Sequence, residues 1–340
     1  MDTTPIEVLI TVAFSEELVA PLRQLSPRLR ITLQPARSAE DIPADLWNRV
    51  EVLYTDRILP TPAAAPKLRW VQFHYAGIDH VAGNPLLDNR DLAITTLSGA
   101  AAPQVAEYAV MMMLALGHKM PELHSNQYKA DWPKDRWERF KPVELRGSTV
   151  GIIGYGSIGR EIARLLQPFD VKVLAAKRDL MHPEDIGYMP PGLGDPGGDL
   201  FTRLYPITAL KSMVKKCDFV VVCVPLTDST RNLVGEAELA AMSPRGYLVD
   251  VSRGGIIQTQ ALVEALREKK IAGAALDVFA EEPLPSSSPL WKLPNVLISP
   301  HISGISPHYA KRAVDLFSEN LERYLIGEEL FNLYESEWGY

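Results

Sequence analysis

Val150-Gly151-Ile152-Ile153-Gly154-Tyr155-Gly156-Ser157-Ile158-Gly159 sets a G-x-G-x-x-G spacing directly after a β-branched apolar run and directly before an amphipathic stretch. Each glycine has a task in that context. Gly154 permits the tight turn, Gly156 lets a pyrophosphate approach the backbone, and Gly159 allows a helix to pack close on the strand. The helix that follows supplies unpaired N–H groups and the positive end of its dipole, which together favour an anion. Strand, turn and helix in that order predict dinucleotide binding rather than a flexible loop.

Outward from this turn, six short apolar runs occupy Thr149 to Ile153, Val171 to Ala175, Phe219 to Val224, Tyr247 to Val251, Ala274 to Val278 and Val296 to Ser299. Helical patterns separate them, such as Glu161 to Phe169 and Gln258 to Lys269, each with one apolar face. Strands apolar on both sides alternating with amphipathic helices call for a parallel sheet covered on both faces, a Rossmann-type doubly wound α/β domain. The first hundred residues repeat the alternation more weakly, with strands expected at Glu7 to Thr11, Arg30 to Leu33, Val50 to Tyr54, Trp70 to Phe73 and Leu92 to Thr96. Two long helical patterns, Ala102 to His118 and Pro307 to Ile326, link the halves and return the chain to the first. The expected organisation is a smaller, discontinuous substrate-binding domain, 1–118 with 306–340, a dinucleotide-binding domain, 119–305, and a cleft between them.

Composition narrows the class. The chain has 340 residues, 46% of them apolar, a formal charge of -7 and a pI near 5.6. That length suits two cores, and an acidic chain lacks the basic surface that nucleic acid or an anionic membrane would require. Cys217 and Cys223, the two cysteines, have no zinc-site spacing and read as reduced core thiols. No metal is expected. The start, MDTTPIEVLITVAF, has no basic residue ahead of its apolar stretch, and no apolar run is long enough to span a bilayer, so the expectation is a cytoplasmic protein with a small-molecule partner.

Cofactor choice is read from the end of the second strand, where an NAD site would carry an acid for the ribose 2'-hydroxyl. Here Val171 to Ala176 runs into Lys177 and Arg178. Two cations pair with a 2'-phosphate, which favours NADP(H); in the alternative, NAD(H), Asp179 does the acid's work from a slightly displaced position.

Three further segments follow strands of the same sheet: Val249-Asp250-Val251-Ser252-Arg253-Gly254-Gly255, Leu276 to Pro285, and Leu297-Ile298-Ser299-Pro300-His301-Ile302-Ser303-Gly304. Ligands bind at the carboxyl ends of strands in such sheets. Reducing a ketone by hydride transfer needs a proton donor for the nascent alkoxide and a cation for a substrate carboxylate, needs that His, Glu and Arg can meet.

These segments, with the glycine turn, the run Val224-Pro225-Leu226-Thr227 and the stretch Trp70 to Asp79, resemble the D-isomer-specific 2-hydroxyacid dehydrogenases, particularly glyoxylate and hydroxypyruvate reductases, over most of the chain. The resemblance implies a flavodoxin-like first domain, a homodimer formed through the nucleotide domain, and reversible reduction of a small 2-keto acid to the D-2-hydroxy acid. It implies that His301 is the acid in reduction and the base in oxidation, that Glu282 hydrogen-bonds it, and that Arg253 holds the substrate's carboxylate and carbonyl. A carboxylate beside an imidazole favours the protonated ring. The resemblance further assigns the backbone N–H groups of Ala76 and Gly77 to the substrate carboxylate, Ser157 and Ile158 to the phosphates, and Asp277 to the nicotinamide carboxamide. Val251 falls on the nicotinamide side. Val224, Pro225, Ser252, Arg253, His301 and Gly304 join the cofactor contacts. His74 and His80 lie near the substrate loop, either as contacts or as rim residues.

Departures from the pattern are instructive. Cys223 stands where many members carry histidine, and a packing role is expected for it. His182 to Pro206, rich in Pro and Gly, inserts into a region that normally runs quickly to the next helix; it either covers the adenosine or builds a subunit contact. The rival readings are a phosphite- or formate-type dehydrogenase and a non-enzymatic NAD(H)-sensing corepressor of the same fold. A formate-type site pairs its histidine with glutamine, against Glu282, and a corepressor would carry peptide-binding surfaces or long tails, which a compact end at Tyr340 does not suggest.

Overall fold

A computed structural model of the chain describes residues 4–335, so readings that touch the first three and last five residues lie outside it. Among the described residues twelve strands form two sheets whose strand pairs are all parallel. The first contains β1 (Ile6–Ile10), β2 (Leu29–Leu33), β3 (Val52–Thr55), β4 (Trp70–Phe73) and β5 (Ala93–Thr95), in the order β2-β1-β3-β4-β5, which is the flavodoxin-like order. The second contains β6 (Thr149–Ile153), β7 (Lys172–Lys177), β8 (Arg203–Pro206), β9 (Phe219–Val222), β10 (Tyr247–Asp250), β11 (Gly273–Leu276) and β12 (Val296–Ile298), in the order β12-β11-β10-β9-β6-β7-β8.

By their contacts the residues group into two compact units. Of the described residues, the first holds those up to Ala101, Gly187–Pro190 and those from Ser306 onward; the second holds Ala102–Ile186 and Pro191–Ile305. The expected break after 118 therefore moves to Ala101, because the helix Ala102–Gly117 packs on the helix Ser157–Leu166 and on β10 and β11. The insertion also contributes four residues to the first unit. There Tyr188 is buried and donates its N–H to Asn332 Oδ1 at 3.2 Å.

In the first unit the helix Tyr309–Ile326 covers one face of the sheet. Its Phe317 meets the rings of Tyr54 at 4.8 Å and Trp70 at 5.4 Å. In the second unit the central strands are buried along their whole length, as the runs FVVV and YLVD require when both faces are covered. Ile162, Ala163 and Leu166 turn inward from the helix Ser157–Leu166.

One strand was not expected. β8, at the end of the stretch read as insertion, pairs with β7 from Leu174↔Arg203 to Lys177↔Pro206. It is a short edge strand ending in proline, a position where no ladder N–H is needed and where the apolar pattern is weak. The insertion proper is shorter than His182 to Pro206 by those four residues. Among the described residues no helix is long and apolar enough to cross a membrane, and no cluster of His, Cys, Asp or Glu could hold a metal ion.

Candidate active site

The chain order of the second sheet builds the site. From β6 the chain moves outward to β7 and β8, then returns to the other side of β6 as β9 and continues to β10, β11 and β12. The direction reverses between β6 and β9, and ligands in open parallel sheets bind at that switch point, beyond the carboxyl ends. Every site residue expected between Gly154 and Gly304 lies at or just past a carboxyl end of this one sheet.

The glycine turn follows β6. Gly154 has φ +104°, and a Cβ there would lie 2.8 Å from Val224 Cγ1 and 2.9 Å from the Cys223 carbonyl, so no other residue fits. Gly159 lies against the Gly154 carbonyl and leaves no room for a side chain. Above Gly156 there is nothing within 4 Å. The turn thus presents an open backbone surface at the start of the helix that begins with Ser157 and Ile158, a cradle that fits a dinucleotide's pyrophosphate. Cys223 supports the same turn by donating its thiol to the Gly154 carbonyl at 3.1 Å. Burial pushes that thiol up to about 12, so it stays protonated. Pro225 accepts the Thr230 hydroxyl at 2.6 Å, which pins the loop after β9.

Lys177 is the last residue of β7, beside Gly154, whose N–H bonds the Ala176 carbonyl at 3.0 Å. Its ammonium donates to the carbonyl of His182, and burial, with Arg160 nearby, holds its pKa below the ordinary lysine value. Arg178 follows. Asp179, the alternative acid, accepts the Met181 N–H at 2.9 Å and the His182 Nδ1 at 2.7 Å.

On the other side of the switch point, His301 follows β12 and Glu282 follows β11. His301 Nδ1 lies 2.8 Å from Glu282 Oε2, while Glu282 Oε1 accepts the Phe279 N–H at 2.9 Å. Fixed at both oxygens, the carboxylate directs the ring and leaves Nε2 as the nitrogen that can exchange a proton with a ligand. Both side chains remain partly open to solvent, 41% and 35%, so a substrate can reach them. Arg253 follows β10, in the turn through Val251 and Ser252, and its Nη1 donates to the Ser252 carbonyl at 2.9 Å. Gly254 presses on the Phe279 carbonyl, where any Cβ would overlap it, so the Arg253 and Glu282 loops share one backbone contact.

Asp277 is fully buried. Its Oδ1 accepts the Ser299 hydroxyl at 2.5 Å and the Ile302 N–H at 2.9 Å, and its Oδ2 accepts the Ser303 N–H at 2.8 Å. It therefore holds the loop that carries His301 and Gly304, whatever else it touches. Ser299 in turn bonds the Tyr108 hydroxyl of the helix Ala102–Gly117. Sequence reasoning missed Tyr108 and Ser299, since nothing local marks a tyrosine 191 residues away as a partner. It also missed Asp250, a buried carboxyl at the end of β10 that accepts the Ser252 N–H at 3.1 Å and its hydroxyl. Burial pushes Asp250 up to about 7, against the lowering effect of the Ser252 bonds and with Asp277 adding to the rise.

Ala76 and Gly77 lie in the first unit, in the turn after β4, with Ala76 exposed. Of the two histidines near them, His74 is packed among Phe14, Tyr54, Tyr75 and Tyr309 and bonds the Tyr54 hydroxyl through Nδ1 at 2.7 Å. Burial lowers it to about 4, and it reads as a neutral, half-buried residue of this aromatic cluster. His80 bonds the Asp56 carbonyl at 2.8 Å through Nε2.

Residues 110–303 match the family model described as D-isomer specific 2-hydroxyacid dehydrogenase, NAD binding domain. A glyoxylate reductase of Thermofilum pendens is 35% identical over 81% of this chain and 78% of its own. A D-isomer specific 2-hydroxyacid dehydrogenase family protein of Aeromonas salmonicida superposes with a TM-score of 0.76 at 28% identity, covering 98% of this chain and 99% of its own. A D-isomer specific 2-hydroxyacid dehydrogenase of Xanthobacter autotrophicus, solved with NADPH and MES, superposes equally well at 26% identity over 99% of this chain and 100% of its own.

Proposed function

Because the chain belongs to the D-isomer-specific 2-hydroxyacid dehydrogenase family, we propose that it reduces a small 2-keto acid, glyoxylate or hydroxypyruvate first among them, to the D-2-hydroxy acid with NADPH. Membership makes it an NAD(P)-dependent oxidoreductase. The observation that carries the finer reading is the 2.8 Å His301–Glu282 pair at the sheet edge that also carries the glycine turn and Arg253.

The bound nicotinamide supplies a hydride. The residues of the chain do the rest. Glu282 orients the imidazole and balances its charge, and His301 delivers a proton from Nε2 to the carbonyl oxygen as it becomes an alkoxide. In the reverse direction the neutral ring removes the hydroxyl proton. Arg253 pairs with the substrate carboxylate, joined in this reading by the backbone N–H groups of Ala76 and Gly77. Gly154, Gly156, Ser157, Ile158 and Gly159 receive the pyrophosphate, Val224, Pro225, Val251, Ser252 and Gly304 line the nicotinamide half, and Asp277 takes the carboxamide. Lys177 and Arg178 favour the 2'-phosphate, which supports NADP(H) over NAD(H); the NADPH-bound relative points the same way.

Purified protein with glyoxylate or hydroxypyruvate is expected to oxidise NADPH faster than NADH. His301→Ala is expected to lose about 10²- to 10⁴-fold in kcat, the usual share of a general acid, and Glu282→Gln less. A folded wild-type protein that oxidises neither cofactor with either acid would reject this substrate reading.

We also propose a homodimer through the second unit, where Tyr128, Trp132 and Trp137 on one segment are 90%, 82% and 76% exposed. So much exposed aromatic surface marks an association face. Sedimentation at micromolar concentration is expected to give a dimer mass, and Trp132→Glu with Trp137→Glu to give a monomer.

A further inference from the structure

The insertion after β7 is held by charged and polar groups that the proposed chemistry does not use. One of them lies within the glycine turn and another directly follows it. Arg160, directly after Gly159, is 1% exposed, yet its guanidinium does not serve the helix start. Its Nη1 donates to the Asp195 carbonyl at 2.5 Å and its Nη2 to the Pro183 carbonyl at 2.5 Å, so one side chain ties the outgoing limb of the insertion to the returning limb. Its Nε stands 3.5 Å from Asp185 Oδ2, an ion pair without a hydrogen bond. Tyr155, between the first two glycines, stacks beneath the guanidinium at 5.0 Å and donates its hydroxyl to Asp195 Oδ2 at 2.7 Å.

The anchoring continues outward. Asp195 also accepts the N–H groups of Asp199 at 2.9 Å and Leu200 at 3.0 Å. Glu161, 1% exposed, accepts the Gly194 N–H at 2.7 Å and is itself held by both ends of the Arg164 guanidinium. Burying an arginine and a glutamate is costly unless each is paired and hydrogen-bonded. Here the hydrogen bonds that Arg160 donates, and one that Glu161 accepts, all go to the backbone of one loop. A fold that only needed to connect β7 to β8 would not require them, since a surface loop of that length costs little more than a short one.

What the loop does locally is to grip Lys177. The ammonium donates to the His182 carbonyl on the outgoing limb, immediately before Pro183 and its Arg160 bond. The end of β7 is where the adenosine ribose is read in this fold. An ammonium on a four-carbon stem pays rotamer entropy for every contact it makes unless something else orders it.

We propose that Arg160 is a positioning residue for cofactor choice: by tying both limbs of the insertion to the glycine turn it fixes Lys177 at the carboxyl end of β7, and so sets the discrimination between a ribose with and without a 2'-phosphate. The inference rests on reading that end of β7 as the adenosine-ribose contact. It concerns how selectivity is held, whichever cofactor is preferred.

The test compares wild type, Arg160→Met, Arg160→Lys and Tyr155→Phe. Calorimetry gives their affinities for 2',5'-ADP and 5'-ADP, and steady-state kinetics give kcat and KM for NADPH and NADH. Wild type is expected to prefer 2',5'-ADP. Arg160→Met is expected to shrink that preference about tenfold, the scale of one charge-assisted contact, with the loss in KM for NADPH rather than in kcat. Arg160→Lys should recover part of it, and Tyr155→Phe should shift it less in the same direction. A preference for 5'-ADP that Arg160→Met abolishes would overturn the NADPH reading while upholding the positioning role. An unchanged preference in folded Arg160→Met, or equal loss of both ligands, overturns the role of Arg160, and a wild type with no preference overturns both. Where Arg160→Met does not fold, an unchanged preference in Tyr155→Phe overturns it.

Discussion

His301 has a backbone φ of 54°, a left-handed conformation that a non-glycine side chain adopts only when its surroundings impose it. The imposition is visible: its own N–H bonds the Asp277 carbonyl at 2.9 Å, and the next two N–H groups bond the Asp277 carboxylate. The ring proposed as the acid–base group is thus carried on a backbone held at three consecutive N–H groups. The support runs on through Ser299 to Tyr108, which gives a prediction for single side chains. Ser299→Ala leaves a buried tyrosine hydroxyl and a carboxylate oxygen each short of a partner, and is expected to cost about 1–3 kcal/mol in chemical unfolding. Adding Tyr108→Phe removes one orphan, so the double variant should cost less than the sum of the two singles. Additive losses would show that the pair does not act as one link.

At the scale of elements, the glycine turn separates folding from binding. Gly159→Ala drives a methyl into the Gly154 carbonyl where helix meets strand, and is expected to lower stability by about 1–3 kcal/mol. Gly156→Ala adds a methyl to open space at φ -93°, so its melting temperature should match wild type. That space is the one assigned to the pyrophosphate, and the affinity for NADPH should fall. A Gly156→Ala protein that melts early, or binds NADPH normally, contradicts the assignment. The spacing of the three glycines is what assigns Gly156 to the pyrophosphate, and the close packing at Gly159 was legible in that same spacing. The strand β8 was not, because an edge strand of four residues ending in proline has neither the length nor the apolar alternation that marks a strand. The carboxyl-end residues Arg253, Glu282 and His301 were legible because a parallel sheet has one edge for ligands; their supports were hidden because hydrogen bonds across the fold leave no local pattern.

At the scale of the whole molecule two buried groups, one in each unit, link stability to pH in opposite senses. In the first, burial lowers His74 from 6.5 to about 4, so the stability it lends is present above 6.5 and lost as pH falls toward 4. In the second, Asp250 rises from 3.8 to about 7, so its contribution is complete below 3.8 and is lost as pH rises to 7. Each pKa unit corresponds to about 1.4 kcal/mol. Asp250→Asn keeps an acceptor for Ser252 and removes the charge. Thermal unfolding is therefore expected to show the variant matching wild type near pH 4 and exceeding it at pH 8. Equal melting temperatures at pH 8 would mean that Asp250 titrates as an ordinary carboxyl.

By itself the sequence determined the two α/β sheets, the glycine turn between strand and helix and the strand-end placement of the three residues proposed for catalysis, because strand alternation, glycine geometry and strand-end position are local properties of the chain. Only the tertiary structure decided that the helix Ala102–Gly117 belongs with the nucleotide sheet, that β8 closes that sheet's edge, and that Arg160 and Tyr155 turn from the glycine loop to grip the insertion. Those outcomes rest on which distant backbone carbonyls and apolar faces meet, and a buried arginine looks the same in sequence as one in water.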